Sequence, residues 1–355
     1  MRFGPQSLMA WVAVAGLLLG VTMLGDMAAQ PEDTLEFLRT HFRFSTSELR
    51  DLASGRAPVR SLDTTDGREI AIAGTVRVPI SPAEYVRQLR DIVAFKRHEA
   101  VQQIGTFSIP PRVSDMAGLT LDSDHLGDLR KCEVDDCDVQ LSRAAIERLR
   151  SEVNWSRVAP AVEANRVFRE ILTDQVARYL QAGDTALMTY ENHGEPLVVA
   201  DEFRAMVDAP PALLRHFPGL QHHVASFPRG RAADAEDIIY WSKEDVGPKV
   251  IISVTHMVIA PVNDGGPVLF TAASKQLYGS HYFDSSLGLT LLLRDSDPGS
   301  TVLVYVNRSR IDALSGFLGG LKRAIVRSRG RSAMQDTLTR IRTRLPERVS
   351  QGSKF

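Results

Sequence analysis

Residues 268–310 read VLFTAASKQLYGSHYFDSSLGLTLLLRDSDPGSTVLVYVNRSR. Within this stretch Leu287, Leu289, Leu291 and Leu293 alternate with Ser286, Gly288, Thr290 and Leu292. A period of two is that of a strand, and it makes one face of this strand wholly apolar. Val302, Val304 and Val306 repeat the pattern beyond the turn cluster Asp297-Pro298-Gly299. Upstream, residues 237–243, 249–260 and 268–283 are also β-branched or alternating, and Asn263-Asp264-Gly265-Gly266 punctuates them. Five strands on short connections predict an antiparallel meander.

The meander is framed by helical patterns. Downstream, residues 310–345 predict a long helix with Ser309 and Asp312 as its capping signature and Gly330 as a break. Its spacing turns Leu314, Leu318, Leu321 and Ile325 inward, making it the expected cover for the leucine face. Upstream, residues 110–230 lose the strand signal. Helices are expected at 144–153 and at 161–180, the latter with Ala164, Phe168, Ile171, Leu172, Val176 and Tyr179 along one stripe. Before this block come a capped helix at Ser45 and Glu48, a strand at 69–80, and a helix opened by Ser81-Pro82 with Tyr85, Leu89, Ile92 and Val93 on one face.

The N-terminus carries a different signal. Met1-Arg2 precedes a run without charge over residues 3–25, most apolar over 8–24. A basic residue before an apolar core of about 17 residues is the pattern of a secretory leader, slightly short for a membrane span. Ala28-Ala29 suits a peptidase although Met27 does not, so both a cleaved signal peptide and a retained anchor stay open. Either route predicts a periplasmic protein or one anchored in the inner membrane facing the periplasm. An oxidising compartment in turn predicts that the two cysteines, Cys132 and Cys137, bond to each other, with free thiols as the alternative.

The chain has 355 residues, is 44% hydrophobic and 24% charged, and carries a formal net charge of −1. That balance supports a folded core and argues against nucleic acid as a partner, because counterion release needs concentrated basic charge. Charge is nonetheless uneven. Residues 308–348 hold 11 basic and 3 acidic side chains, residues 115–138 hold 8 acidic and 2 basic, and Lys322, Arg323, Arg327 and Arg329 point outward as candidates for contact with an anionic membrane surface.

Signatures of chemistry are scarce. The sequence has no GxSxG elbow, phosphate-binding loop, GxGxxG turn, HExxH or calcium loop, so no catalytic residue, cofactor or metal is expected. Ser280 and His281 are strand neighbours and are expected on opposite faces. His222-His223 would diverge on a helix. His256 shares a strand face with Val250, Ile252, Val254 and Val258, where an imidazole needs partners for its nitrogens. It reads as a hydrogen-bonded core residue or as the polar anchor of a ligand cavity, with Leu289, Trp241 and Tyr282 as further ligand-binding candidates.

The fold class expected is therefore α+β, a curved antiparallel sheet with a long C-terminal helix and a large helical insertion. Its element order is similar to the helix-grip arrangement of START-like lipid-binding domains. That resemblance implies an apolar cavity between sheet and C-terminal helix, and a function of binding or carrying an apolar ligand such as a lipid without covalent chemistry. The alternative is a structural or interaction component of the envelope. The parts expected are a leader at 1–29, an N-terminal helical arm at 30–68, the first part of the grip at 69–109, the insertion at 110–230, and the meander with its helix at 231–348. The phrases YWSKE, SKQLYGSHYFDSSLGL and VNRSRIDALSGFLGGLKRAIVRSR, with the long stretch from RDIVAFKRHE to DDCDVQLS, resemble a family of uncharacterised exported bacterial proteins. This second resemblance implies export and no particular activity.

Overall fold

Alternation in the meander produces the strands expected of it: β6 (Glu236–Asp245), β7 (Val250–Pro261), β8 (Val268–Gly279), β9 (Ser285–Arg294) and β10 (Thr301–Arg310). Before them lie β1 (Val59–Leu62), β2 (Glu69–Val78) and β3 (Val101–Thr106), and these eight form one sheet in the order β1-β2-β10-β9-β8-β7-β6-β3. Every neighbouring pair is antiparallel. Two short strands, β4 (Thr189–Tyr190) and β5 (Leu197–Val198), pair separately. The computed structural model describes residues 33–157, 159–191, 195–209, 213–245, 247–311, 314 and 319–352, all within one compact unit. The expected leader, and Asp312 and Leu318 of the expected C-terminal helix, lie outside the described residues.

The helices come in three groups and a single C-terminal helix. The N-terminal arm holds α1 (Thr34–Phe42) and α2 (Thr46–Ala53), the latter started by the Ser45–Glu48 capping box. Between β2 and β3 lie α3 (Pro82–Arg90) and α4 (Ile92–Lys96). The insertion between β3 and β6 contains α5 (Ser123–Lys131), α6 (Arg143–Glu152), α7 (Ala161–Ala182), α8 (Val199–Asp208) and α9 (Pro218–Ser226), with a tight turn of helix at Leu213–His216. Last comes α10 (Gly319–Gly352). The fold is α+β with a long C-terminal helix and a helical insertion, as the element order implied.

Register assigns each strand residue to one of two faces. Leu289 stands beside Val306 and Ala273, Val306 beside Ala73, Ala273 beside Val258, and the rows continue to His256 and Trp241. This first face is covered by α1, α2, the insertion helices and the Leu213–His216 turn, whose side chains include Phe37, Phe42, Phe203, Met206 and Leu214. The opposite face, with Tyr240, Met257, Leu292 and Leu303, packs against α3, α4 and α10.

Two expectations about the C-terminal helix are thereby corrected. First, α10 does not cover the leucine face. A wholly apolar face takes the largest apolar cover available, which is the insertion together with the N-terminal arm. Second, β10 runs on to Arg310, so Ser309 is a strand residue and the helix begins at Gly319. With that shift the buried stripe is Met334, Leu338 and Leu345, while Leu321 and Ile325 are 63% and 46% exposed. Helix α10 passes through Gly330 unbroken, and a Cβ there would stand 2.6 Å from Ile72 Cδ1. Glycine at this point brings the helix close to the sheet.

Candidate ligand cavity and the buried polar network

The face toward α10 is unlike the leucine face in composition. Along β7 to β10 it presents Ser253, Thr255, Ser274, Gln276, Ser286, Gly288, Thr290, Asn307 and Ser309 at alternate positions. Short side chains do not fill the distance to a covering helix, and space is left. Two adjoining cavities result, of about 310 and 210 Å³, sharing Lys96, Tyr240, Glu244, Ser274 and Tyr305 in their walls. The larger is walled by Leu89, Ile92, Phe95, Met257, Leu303 and Ile341. The smaller is lined chiefly by the hydroxyl and amide groups of the sheet.

A single ion pair stands where the cavities meet. Lys96 Nζ donates to Glu244 Oε1 at 2.6 Å, Ser242 Oγ donates to the same oxygen at 2.6 Å, and the ammonium lies 5.3 Å from the centre of the Tyr240 ring. Burial opposes both charges, yet each offsets it for the other: the Lys96 ammonium is held above its ordinary range and the Glu244 carboxyl below its own. Burial raises the Tyr85 and Tyr305 phenols. The larger cavity is therefore mainly apolar but carries the Arg340 and Arg344 guanidiniums in its wall, the smaller is polar, and the Lys96–Glu244 pair stands between them.

The residues singled out by sequence fall mostly elsewhere. His256, Leu289 and Trp241 sit on the leucine face, away from α10. Beside Leu289 only about 10 Å³ is open, so that region is packed core. Trp241 donates its indole N–H to the Asp115 carbonyl at 2.9 Å. Tyr282 is half-buried in the turn after β8 at φ 67°, and its neighbour Phe283 lines the smaller cavity. Strand alternation could not separate the two sides of the sheet by ligand access, since it states only that two sides exist.

His256 is a hydrogen-bonded core residue. Its Nε2 lies 2.9 Å from Asp237 Oδ1 and its Nδ1 2.9 Å from the Tyr179 hydroxyl. His223 joins the same carboxylate, with Nε2 2.7 Å from Asp237 Oδ1, while its Nδ1 accepts the Ala232 N–H at 3.2 Å. Arg231 Nη2 stands 2.7 Å from Asp237 Oδ2. Burial opposes the Asp237 charge, but the two imidazoles hold its carboxyl well below the usual range, and burial lowers His256. His223, Asp237 and His256 converge closely enough to resemble a metal site. The donor set does not fit one. A metal on His223 Nε2 would require a proton on Nδ1, where the Ala232 N–H already points. Neutral imidazoles donating from Nε2 satisfy every partner.

Ser280 and His281 do meet, against expectation, because the chain leaves β8 at Gly279 and alternation ends there. Ser280 Oγ lies 2.8 Å from His281 Nδ1 and also accepts the Ile252 N–H at 3.0 Å. The hydroxyl is wholly buried, and Asp128 Oδ2 stands 3.7 Å from His281 Nε2, beyond hydrogen bonding. The cluster is structural. Cys132 and Cys137 are bonded, with Cα atoms 4.4 Å apart. Of the basic quartet on α10, Lys322 and Arg329 are exposed, Arg327 is half-buried, and Arg323 donates to the Gly67 carbonyl. Sequence reasoning missed Lys96 and Glu244, though the run of small polar residues alternating with Leu287, Leu289 and Leu291 was the available sign of a cavity. No helix among the described residues is long and apolar enough to cross a membrane. The chain matches no protein-family model, and no curated protein sequence is significantly similar to it.

Proposed function

We propose that the protein binds, outside the cytoplasm and without covalent chemistry, a small amphipathic and mainly apolar molecule such as a lipid, held between the sheet and helices α3, α4 and α10. The observation that carries this reading is the pair of adjoining cavities on one face of the sheet, the larger of about 310 Å³ under α10 and the smaller of about 210 Å³ beside it. The larger lies at the lower end of the size range of small-molecule sites, with a wall that is mainly apolar, and the smaller adjoins it with a polar lining. The resemblance to START-like helix-grip domains favours the same location, on the sheet face against which α10 packs. The leader sequence and the disulfide favour export. Lys322 and Arg329, next to exposed Leu321 and Ile325, provide a basic and apolar patch suited to an anionic membrane from which ligand is drawn.

Because Lys96 and Glu244 neutralise each other, a polar end placed in the smaller cavity meets hydroxyl, amide and phenol groups that match a hydroxyl or amide, while the remaining charges in the wall of the larger are those of Arg340 and Arg344. Native mass spectrometry of the protein purified from its own envelope, with organic extraction of the same sample, tests the reading. A co-purifying apolar molecule at near one-to-one stoichiometry is expected. Ligand-free protein from that source would instead favour a structural role in the envelope.

A further inference from the structure

A second pocket, of about 520 Å³, lies where three segments remote in sequence meet: the end of α1, β1 with the residues after it, and the Leu213–His216 turn. Its walls bring together Arg43, Arg60, Arg215, His41 and His216, and Asp63 is its one carboxylate. Arg60 lies 6.0 Å from the centre of the Phe44 ring and 3.7 Å from Glu48, which offsets part of its charge. Arg215 donates to the Asp208 carbonyl at 3.0 Å, a contact that orients a guanidinium without neutralising it. The rings of His41 and His216 meet edge to face at 4.5 Å.

Arg43 is the residue out of place. It caps α1 in the left-handed region at φ 57° and ψ 30°, where glycine is the residue without strain. Its side chain is exposed. A strained arginine kept at the wall of a basic pocket points to a ligand for its guanidinium.

We propose that this pocket binds the phosphate group of a phosphorylated small molecule or of a lipid headgroup. Three guanidiniums match the charge and the forked acceptor geometry of a phosphate better than a single carboxylate would, and the volume leaves room for the organic part of an ester. The site is independent of the cavity under α10.

Calorimetric titration of the full chain with inorganic phosphate and with glycerol 3-phosphate, against sodium chloride at matched ionic strength, tests the proposal. Sedimentation with phosphatidylcholine vesicles, with and without phosphatidic acid, runs alongside. Saturable binding of a phosphate species is expected, with no response to chloride. Binding of the soluble anions alone assigns a soluble ester, whereas phosphate-competed binding only to phosphatidic acid vesicles assigns a headgroup. Arg43→Gly should weaken binding at least tenfold while raising the melting temperature in phosphate-free buffer, and Arg215→Ala should weaken binding without that rise. Absence of saturable binding to phosphate, ester and vesicles, or wild-type affinity in Arg43→Gly, would overturn the proposal.

Discussion

Lys96 and Glu244 sit 2.6 Å apart beneath α10 at the cavity wall, both half-buried. Each member offsets the desolvation of the other, and either charge alone would stand half-buried without its partner. Lys96→Met is expected to cost about 1 to 3 kcal/mol in urea denaturation, and Glu244→Gln a similar amount. The double variant, which removes both charges, should recover most of that loss, and a strictly additive double variant would show that the two groups act separately. Buried histidines add a pH dependence. Burial, with the charges of His125 and Lys249, pushes His281 down to about 4 from 6.5, and burial lowers His256 as well. Below pH 6.5 the unfolded chain takes up protons that these folded-state imidazoles refuse, so stability falls as pH drops from 6.5 toward 4. Thermal melts across that window should show the decline, and His281→Gln should flatten it.

At the scale of elements, β9 shows how one strand serves two purposes. Leu287, Leu289, Leu291 and Leu293 are buried under the insertion and the N-terminal arm, whereas Ser286, Gly288 and Thr290 face the cavities. Leu289→Ala is expected to cost about 2 to 5 kcal/mol, since little space remains beside it to absorb the loss. Strand β2 meets α10 at Gly74, where a Cβ would come 2.5 Å from Leu338 Cδ1 and 3.1 Å from Met334 Sδ. Gly74→Val should therefore destabilise the protein by about 1 to 3 kcal/mol through overpacking, read from the same denaturation curves. The strands of the meander, the Ser45 cap and helix α7 were legible in the sequence because each depends on a local period or a local cap. The start of α10 was not, since residues 308–311 continue the ladder with β2 by pairing at long range. Nor was the pairing of Lys96 with Glu244, which joins a short helix to a strand 148 residues away.

For the molecule as a whole, the sheet divides labour between its faces. One is filled around Leu289 and carries the buried network of Tyr179, His223, Asp237 and His256 that ties the insertion to β6 and β7. The other is spaced open by small polar side chains beneath α10. The order of elements announced both covers, but which cover belongs to which face is decided by register and total apolar area, and neither is written in a local pattern.

Adjacent residues on β9 test this division most directly, because Leu289 and Thr290 point to opposite faces. Binding of a fluorescent dansyl-labelled fatty acyl probe, measured on wild type, Thr290→Trp and Leu289→Trp with circular dichroism for folding, separates them. Wild type should bind the probe, Thr290→Trp should fold but fail to bind, and Leu289→Trp should lose stability by about 1 to 3 kcal/mol through overpacking. Probe binding by Thr290→Trp at wild-type affinity would contradict the placement of the ligand beneath α10.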